Sequence, residues 1–160
     1  FKQKTAYEIP KRDWSSDVCS SDLGGASRDV VETLTAFGEK VGVAFQLADD
    51  VIDIASDSNQ SGKTPGTDLK EGVPTLVTLQ ILKSDNPKDK FLKEKLSKPL
   101  PADEVPSVIQ ELRAHPALVS SRNYLHDLAR ESKAMLKDLP NNPAKRTLES
   151  LCDAIVDRTA

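Results

Sequence analysis

The chain has 160 residues, with 22 Lys and Arg against 25 Asp and Glu and a formal charge of −3. That length suits one domain of ordinary size, and 38% hydrophobic with 29% charged residues allow a buried core beneath a polar surface. Near-neutral charge supplies no global field for nucleic acid or an anionic membrane surface, and the uncharged run Gly72–Leu82 is far short of the roughly 18 residues of a membrane helix. Two cysteines, Cys19 and Cys152, make neither a disulfide framework nor a zinc site. No secretory leader is visible at the start, so the expectation is a cytoplasmic globular protein or a piece of one.

Residues 1–23 come first in the chain. Asp13–Leu23, DWSSDVCSSDL, has the Ser and Asp of a polar loop, but it also resembles the in-frame translation of a common sequencing adapter. Lys2 to Glu8 read as the other end of the same adapter, and an index with its flanking bases supplies Ile9 to Arg12. The expectation is a foreign segment over residues 1–23, outside the fold, followed by one helical domain over residues 24–160. Cys152 then remains as a small residue in an apolar helical pattern.

No strand alternation or hairpin signal occurs in residues 24–160, whereas helical periodicity is strong. Ser27 is a plausible N-cap with Asp29 in the first turn. Val30, Leu34, Phe37, Val41, Ala44, Phe45, Ala48 and Ile52 then recur at spacings of three and four, predicting a helix to about Ala55. A Gly-, Ser- and Asn-rich loop follows to Gly72. Pro74 suits the first turn of a helix ending near Leu82. Ser84 to Pro87 is a break, and short helices are predicted at Lys88–Leu96 and Ala102–Ala114. Longer ones are predicted at Leu118–Leu139, with Leu125, Leu128, Ala129, Ser132, Leu136 and Leu139 on one stripe, and at Pro143–Arg158, with Ala144, Leu148, Leu151, Cys152, Ile155 and Val156 inside. Tyr124 and Met135 read as packing residues, and His115 and His126 as surface or cap residues.

The first helix also carries an acidic arc. With Gln46 at 0° on a wheel of about 100° per residue, Asp49 falls near 300°, Asp53 near 340° and Asp50 near 40°. Carboxylates this close repel one another at each i,i+3 and i,i+4 pair. A hard cation would relieve them, and Mg²⁺ is usually held by one or two carboxylates together with substrate phosphates. A solvated acidic face is the alternative, and the arc alone does not separate the two. The loop beyond adds Lys63 and Lys70, with Gly62 and Gly66 permitting close backbone approach. Basic side chains beside metal-binding carboxylates are what a diphosphate site requires. Asp57 to Asp68 imitates an EF-hand, but its twelfth position lacks the long bidentate Glu. Gly62-Lys63-Thr64 echoes a P-loop ending, but it follows a helix instead of a strand.

The stretch GVAFQLADDVIDIASDSNQSGKTPGTDLKEGVPTL resembles the second aspartate-rich region of trans-polyprenyl diphosphate synthases: FQ, DDxxD, GK, GTDL, a glycine and a TL pair in that order. The upstream AFGEKVG and the closing LESLCDAIVDR are similar to the same family, so the likeness runs from about Gly24 to the end and is nearest to actinobacterial-type long-chain synthases. The resemblance implies an all-α fold, here the C-terminal part of the isoprenoid synthase helical fold. It implies a usually dimeric, Mg²⁺-dependent prenyltransferase that joins isopentenyl diphosphate to an allylic diphosphate. It also implies that Asp49, Asp50 and Asp53 form the second metal motif, with Asp49 a direct ligand. Gln46 and Lys63 would contact the allylic diphosphate and Asp68 would orient the loop, while Lys70 joins the substrate-binding set from its place beyond the acidic arc.

This chain departs from the family pattern in two respects. A first DDxxD is not present, and Lys4-Thr5-Ala6, which imitates the family's Lys-Thr pair, falls inside the adapter-like segment. The expectation is therefore part of a synthase, inactive by itself and homodimeric in its full-length parent. A non-catalytic subunit of a heteromeric synthase and a terpene cyclase relative are the alternatives.

Overall fold

The computed structural model describes residues 24–55 and 65–158. Every regular element among them is helical, in line with the all-α expectation. Helix α1 spans Arg28–Ala55, α2 Thr67–Glu71, α3 Leu76–Lys83, α4 Lys90–Leu96, α5 Val105–Ala114, α6 Pro116–Met135 and α7 Pro143–Asp157, with a 3₁₀ turn at Pro87–Asp89. Two compact units divide the described residues: 24–46 with 126–157, and 47–55 and 65–125 with 158.

In the first unit the amphipathic pattern produces a core as expected. Phe37, Ala129, Leu136, Cys152 and Val156 are buried together, with Leu34, Val41, Leu139 and Leu148 packed against them. The Cys152 thiol is pushed upward, chiefly by burial, so it is an inert packing group and not a thiolate nucleophile. Ser132, fully buried on the same stripe, donates its hydroxyl to the Leu128 carbonyl at 2.8 Å, which removes the cost of a bare polar atom. Several expectations fail here. Phe45 is 40% and Leu151 43% exposed, and Ala144 is exposed too.

In the second unit the buried arc of α1 comprises Ala48, Val51 and Ile54. Val51 and Ile54 lie near 140° and 80° on the wheel, a rotation away from the expected stripe. The unit's tertiary contacts, more than the spacing of large side chains, choose which flank is covered. Tyr124, read as packing, is 46% exposed.

Residues 67–71 form a helix where the sequence suggests only loop. Gly66 and Gly72, at φ 78° and 68°, bracket it in the left-handed region, which glycine enters without a Cβ penalty. The Gly72 N–H bonds back to the helix carbonyls in the manner of a C-cap, and buried Leu69 anchors it. The next helix starts later than expected because Thr75, not Pro74, opens it. The Thr78 N–H donates to Thr75 Oγ1 and the Thr75 N–H to Thr78 Oγ1, a reciprocal capping box. Lys88 and Ala102 likewise lie ahead of α4 and α5, whose starts at Lys90 and Val105 fall a turn or less downstream.

Candidate active site on α1

The three aspartates occupy the last two turns of α1. Negative charge at a helix C-terminus opposes the macrodipole, and the last turn of α1 has no basic residue. The end of the helix is instead relieved from outside, because Arg113 Nε donates to the Ile54 carbonyl at 2.8 Å. That guanidinium satisfies one of the carbonyls that a helix end leaves without an intrahelical partner.

Each carboxylate is engaged separately. Asp49 Oδ1 accepts from Arg158 Nη2 at 2.9 Å. Asp50 Oδ2 accepts from the Leu76 N–H at 3.2 Å, where α3 begins. Asp53 Oδ2 accepts from the Gly66 N–H at 3.1 Å. Gly66 is fitted to this task, since a Cβ there would lie 2.5 Å from Val105 Cγ1. Its role as a point of close backbone approach, expected from the sequence, is thus realised. Arg158, Arg113 and the Leu76 N–H carried no signal in the sequence. Their partners lie tens of residues away, and any surface arginine or loop amide looks the same in one dimension.

Asp50 is the electrostatically strained member. Its pKa is raised from 3.8 to about 6, first by burial, with Asp68, Asp49 and Asp53 adding repulsion and the Leu76 hydrogen bond opposing them. Among the described residues, this half-buried carboxyl has one amide donor and three like-charged neighbours. Gln46 stands one turn earlier on α1 and is half-buried, Asp68 on α2 is half-buried, and Lys70 on the same short helix is exposed. Lys63 and Asp57 lie outside the described residues. Among the described residues no three His, Cys, Asp or Glu side chains gather at metal-holding geometry. The donor set nevertheless fits a hard cation of the Mg²⁺ kind, which takes one or two carboxylates and completes its shell with phosphate oxygens and water. No described helix is long and apolar enough to cross a membrane.

A cavity of about 330 Å³ in the first unit is lined in part by His126, Arg130, Lys133 and Asp153. Its cations are paired, Arg130 with Asp127 and Lys133 with Asp153.

The described residues thus form an all-helical fold with a carboxylate arc on the wall of a long helix, met by the Gly66 amide from the segment that follows. The sequence profile of the Polyprenyl synthetase family matches residues 2–112, and the chain belongs to that family. The match begins inside the adapter-like segment and includes Lys4-Thr5-Ala6. A nonaprenyl diphosphate synthase of Mycobacterium tuberculosis is 42% identical over 137 residues, 85% of this chain and 41% of that protein. A geranylfarnesyl diphosphate synthase of Natronomonas pharaonis is 31% identical over 146 residues, 86% of this chain and 39% of that one. The crystal structure of a Corynebacterium glutamicum geranylgeranyl pyrophosphate synthase, complexed with calcium and isoprenyl diphosphate, superposes with TM-score 0.83 at 32% identity, covering 92% of this chain and 46% of that one. The fold is therefore the isoprenoid synthase helical fold, and the chain spans about two fifths of the length of the curated relatives it matches.

Proposed function

We propose that this chain carries the second metal–diphosphate wall of a Mg²⁺-dependent trans-polyprenyl diphosphate synthase that joins isopentenyl diphosphate to an allylic diphosphate. The observation that carries the reading is the strained arc Asp49, Asp50 and Asp53 on α1, with a raised Asp50 carboxyl and the Gly66 amide pinning Asp53. The 42% identical relative that makes a nonaprenyl diphosphate supports a long-chain product, and the calcium and isoprenyl diphosphate of the Corynebacterium structure support a divalent ion beside a diphosphate. Asp49, Asp50 and Asp53 would hold the ion. Gln46, Lys63 and Lys70 would face the allylic diphosphate, and Asp68 would orient α2.

In the reaction, the C–O bond of the allylic diphosphate breaks with its electron pair leaving on the diphosphate. The double bond of isopentenyl diphosphate supplies the pair for the new C–C bond, and a proton is then lost. Mg²⁺, when bound, supplies the positive charge that stabilises the departing diphosphate. The lysines of this chain add fixed donors for the same oxygens, and the apolar flank of α1 keeps water from the allylic cation. Residues 1–23 are read as foreign to the fold, and sequencing reads that cross from genuine upstream codons into Gly24 would establish this. The chain as given is expected to be inactive, and its parent homodimeric and cytoplasmic.

Steady-state prenyl transfer over a Mg²⁺ titration tests the function in the full-length synthase carrying these residues. Asp49→Ala should lower kcat by roughly a hundredfold or more, the scale of losing one strong electrostatic contributor, with circular dichroism unchanged. Lys63→Ala should act on the same diphosphate and so combine less than additively with it. Asp57→Ala should be nearly silent. A wild-type rate in Asp49→Ala, or calcium-dependent loss in Asp57→Ala, would sink the assignment.

A further inference from the structure

The contact between Asp49 and Arg158 joins residues 109 positions apart and belongs wholly to the second unit. It differs in kind from the other two restraints on the arc. Leu76 and Gly66 offer neutral amides, whereas Arg158 brings a full, permanently protonated charge. The side chains of Arg158 and Asp49 remain 44% and 29% exposed, so an ion from solvent can reach the carboxylate and the guanidinium can swing away. Arg158 directly follows Asp157, the last residue of α7, and a cation released there still complements the negative end of that helix.

We propose that Arg158 is a built-in competitor of the divalent cation at Asp49: its guanidinium neutralises the carboxylate in the metal-free protein and leaves it when the ion arrives. Metal occupancy and the docking of the residue after α7 are then coupled. This rests on the reading of Asp49 as a metal ligand. The physical basis is mutual exclusion, because a dication and a guanidinium repel one another at a shared carboxylate. Arg158 is on this reading a positioning residue that keeps the arc folded and soluble until metal binds.

The test uses Mn²⁺ alone on the full chain, with free Mn²⁺ counted by electron paramagnetic resonance and arginine accessibility read by phenylglyoxal modification and mass spectrometry. Saturating Mn²⁺ should increase modification of Arg158 and leave Arg130 unchanged. Arg158→Ala should bind Mn²⁺ about two- to fivefold more tightly, the range set by a half-exposed ion pair. Arg158→Lys should stay near wild type, and Arg130→Ala, the same charge change elsewhere, should have no effect. If Asp49→Asn loses the saturable binding but Arg158→Ala binds no more tightly than wild type, the competitor role is wrong and the metal reading stands. If Asp49→Asn binds Mn²⁺ like wild type, both fall. Should Arg158→Ala not fold, modification of Arg158 in the unaltered chain decides, and modification indifferent to bound Mn²⁺ overturns the proposal.

Discussion

Asp50 and Asp89 are aspartates of the same compact unit, and their surroundings push their carboxyls in opposite directions. Asp89 is only 5% exposed, yet its pKa is lowered, first by a hydrogen bond from the Ser84 side chain and then by one from His115, which together outweigh burial. His115 Nδ1 accepts from the Ala117 N–H at 3.1 Å, which leaves Nε2 to face Asp89 Oδ1 at 3.2 Å. One imidazole thus opens α6 and satisfies a buried carboxylate. Asp50 is raised to about 6, first by burial, with the Leu76 amide opposing it and three neighbouring carboxylates adding repulsion. Burial and like-charge repulsion raise the one, and donors aimed at the charged form lower the other. Around Asp89 those donors are supplied inside the chain, whereas among the described residues Asp50 receives one amide alone.

A cavity variant that touches neither aspartate sets the scale for breaking this comparison. Leu136→Ala in the first unit's core, where Leu136 is fully buried, should cost about 3–5 kcal/mol in urea unfolding. Its cost should be the same at pH 5 and pH 7.5. Gly66→Ala should cost about 2–3 kcal/mol, combining left-handed strain with the clash on Val105, and it should loosen the donor on Asp53. A variant as stable as wild type would mean that a Cβ at residue 66 fits without strain against Val105.

Asp50→Asn should stabilise the metal-free protein by about 1–2 kcal/mol at pH 7.5, discounted for solvent screening. A carboxyl raised in the folded state contributes stability that is fully present below its ordinary 3.8 and is lost as pH rises through about 6. The advantage of Asn should therefore grow from pH 4 to pH 7 and then level off, as denaturation at several pH values will show. Asp89→Asn should act the other way and most weakly, since its amide oxygen keeps one acceptor where the carboxylate meets Ser84 and His115. A lowered carboxyl contributes stability present above the ordinary 3.8 and lost as pH falls through its folded value. The deficit of Asp89→Asn should thus fade on acidification. Equal pH trends in the two variants would erase the contrast.

Much of this was legible in one dimension. The periodicity of α1, α6 and α7 and the turn residues between them gave the all-helical class, and the arc of Asp49, Asp50 and Asp53 stood out because helix geometry is regular enough to compute. Gly66 was readable as a point of close approach. Helix α2 was not, because five residues carry too little periodicity, and its stability comes from flanking glycines and buried Leu69. Asp89, His115 and Arg158 were also illegible as partners. The pairs Asp89–His115 and Asp49–Arg158 are separated by 26 and 109 positions, and a solvated charge has the same spelling as a paired one. Phe45 misled because an apolar residue on a helical stripe does not say which flank its neighbours will cover.

The central claim is that the acidic arc of α1 is short of positive charge and is completed by a divalent ion with a diphosphate. The most direct measurement is the carboxyl ¹³C shift of Asp50 titrated against pH in the full-length protein, first without metal and then with Mg²⁺ and inorganic pyrophosphate. The metal-free midpoint should lie at about 6, and the added ion should pull it down by about one unit or more, because a nearby cation favours the carboxylate. A midpoint near 4 without metal, or one that Mg²⁺ and pyrophosphate do not move, would contradict the account.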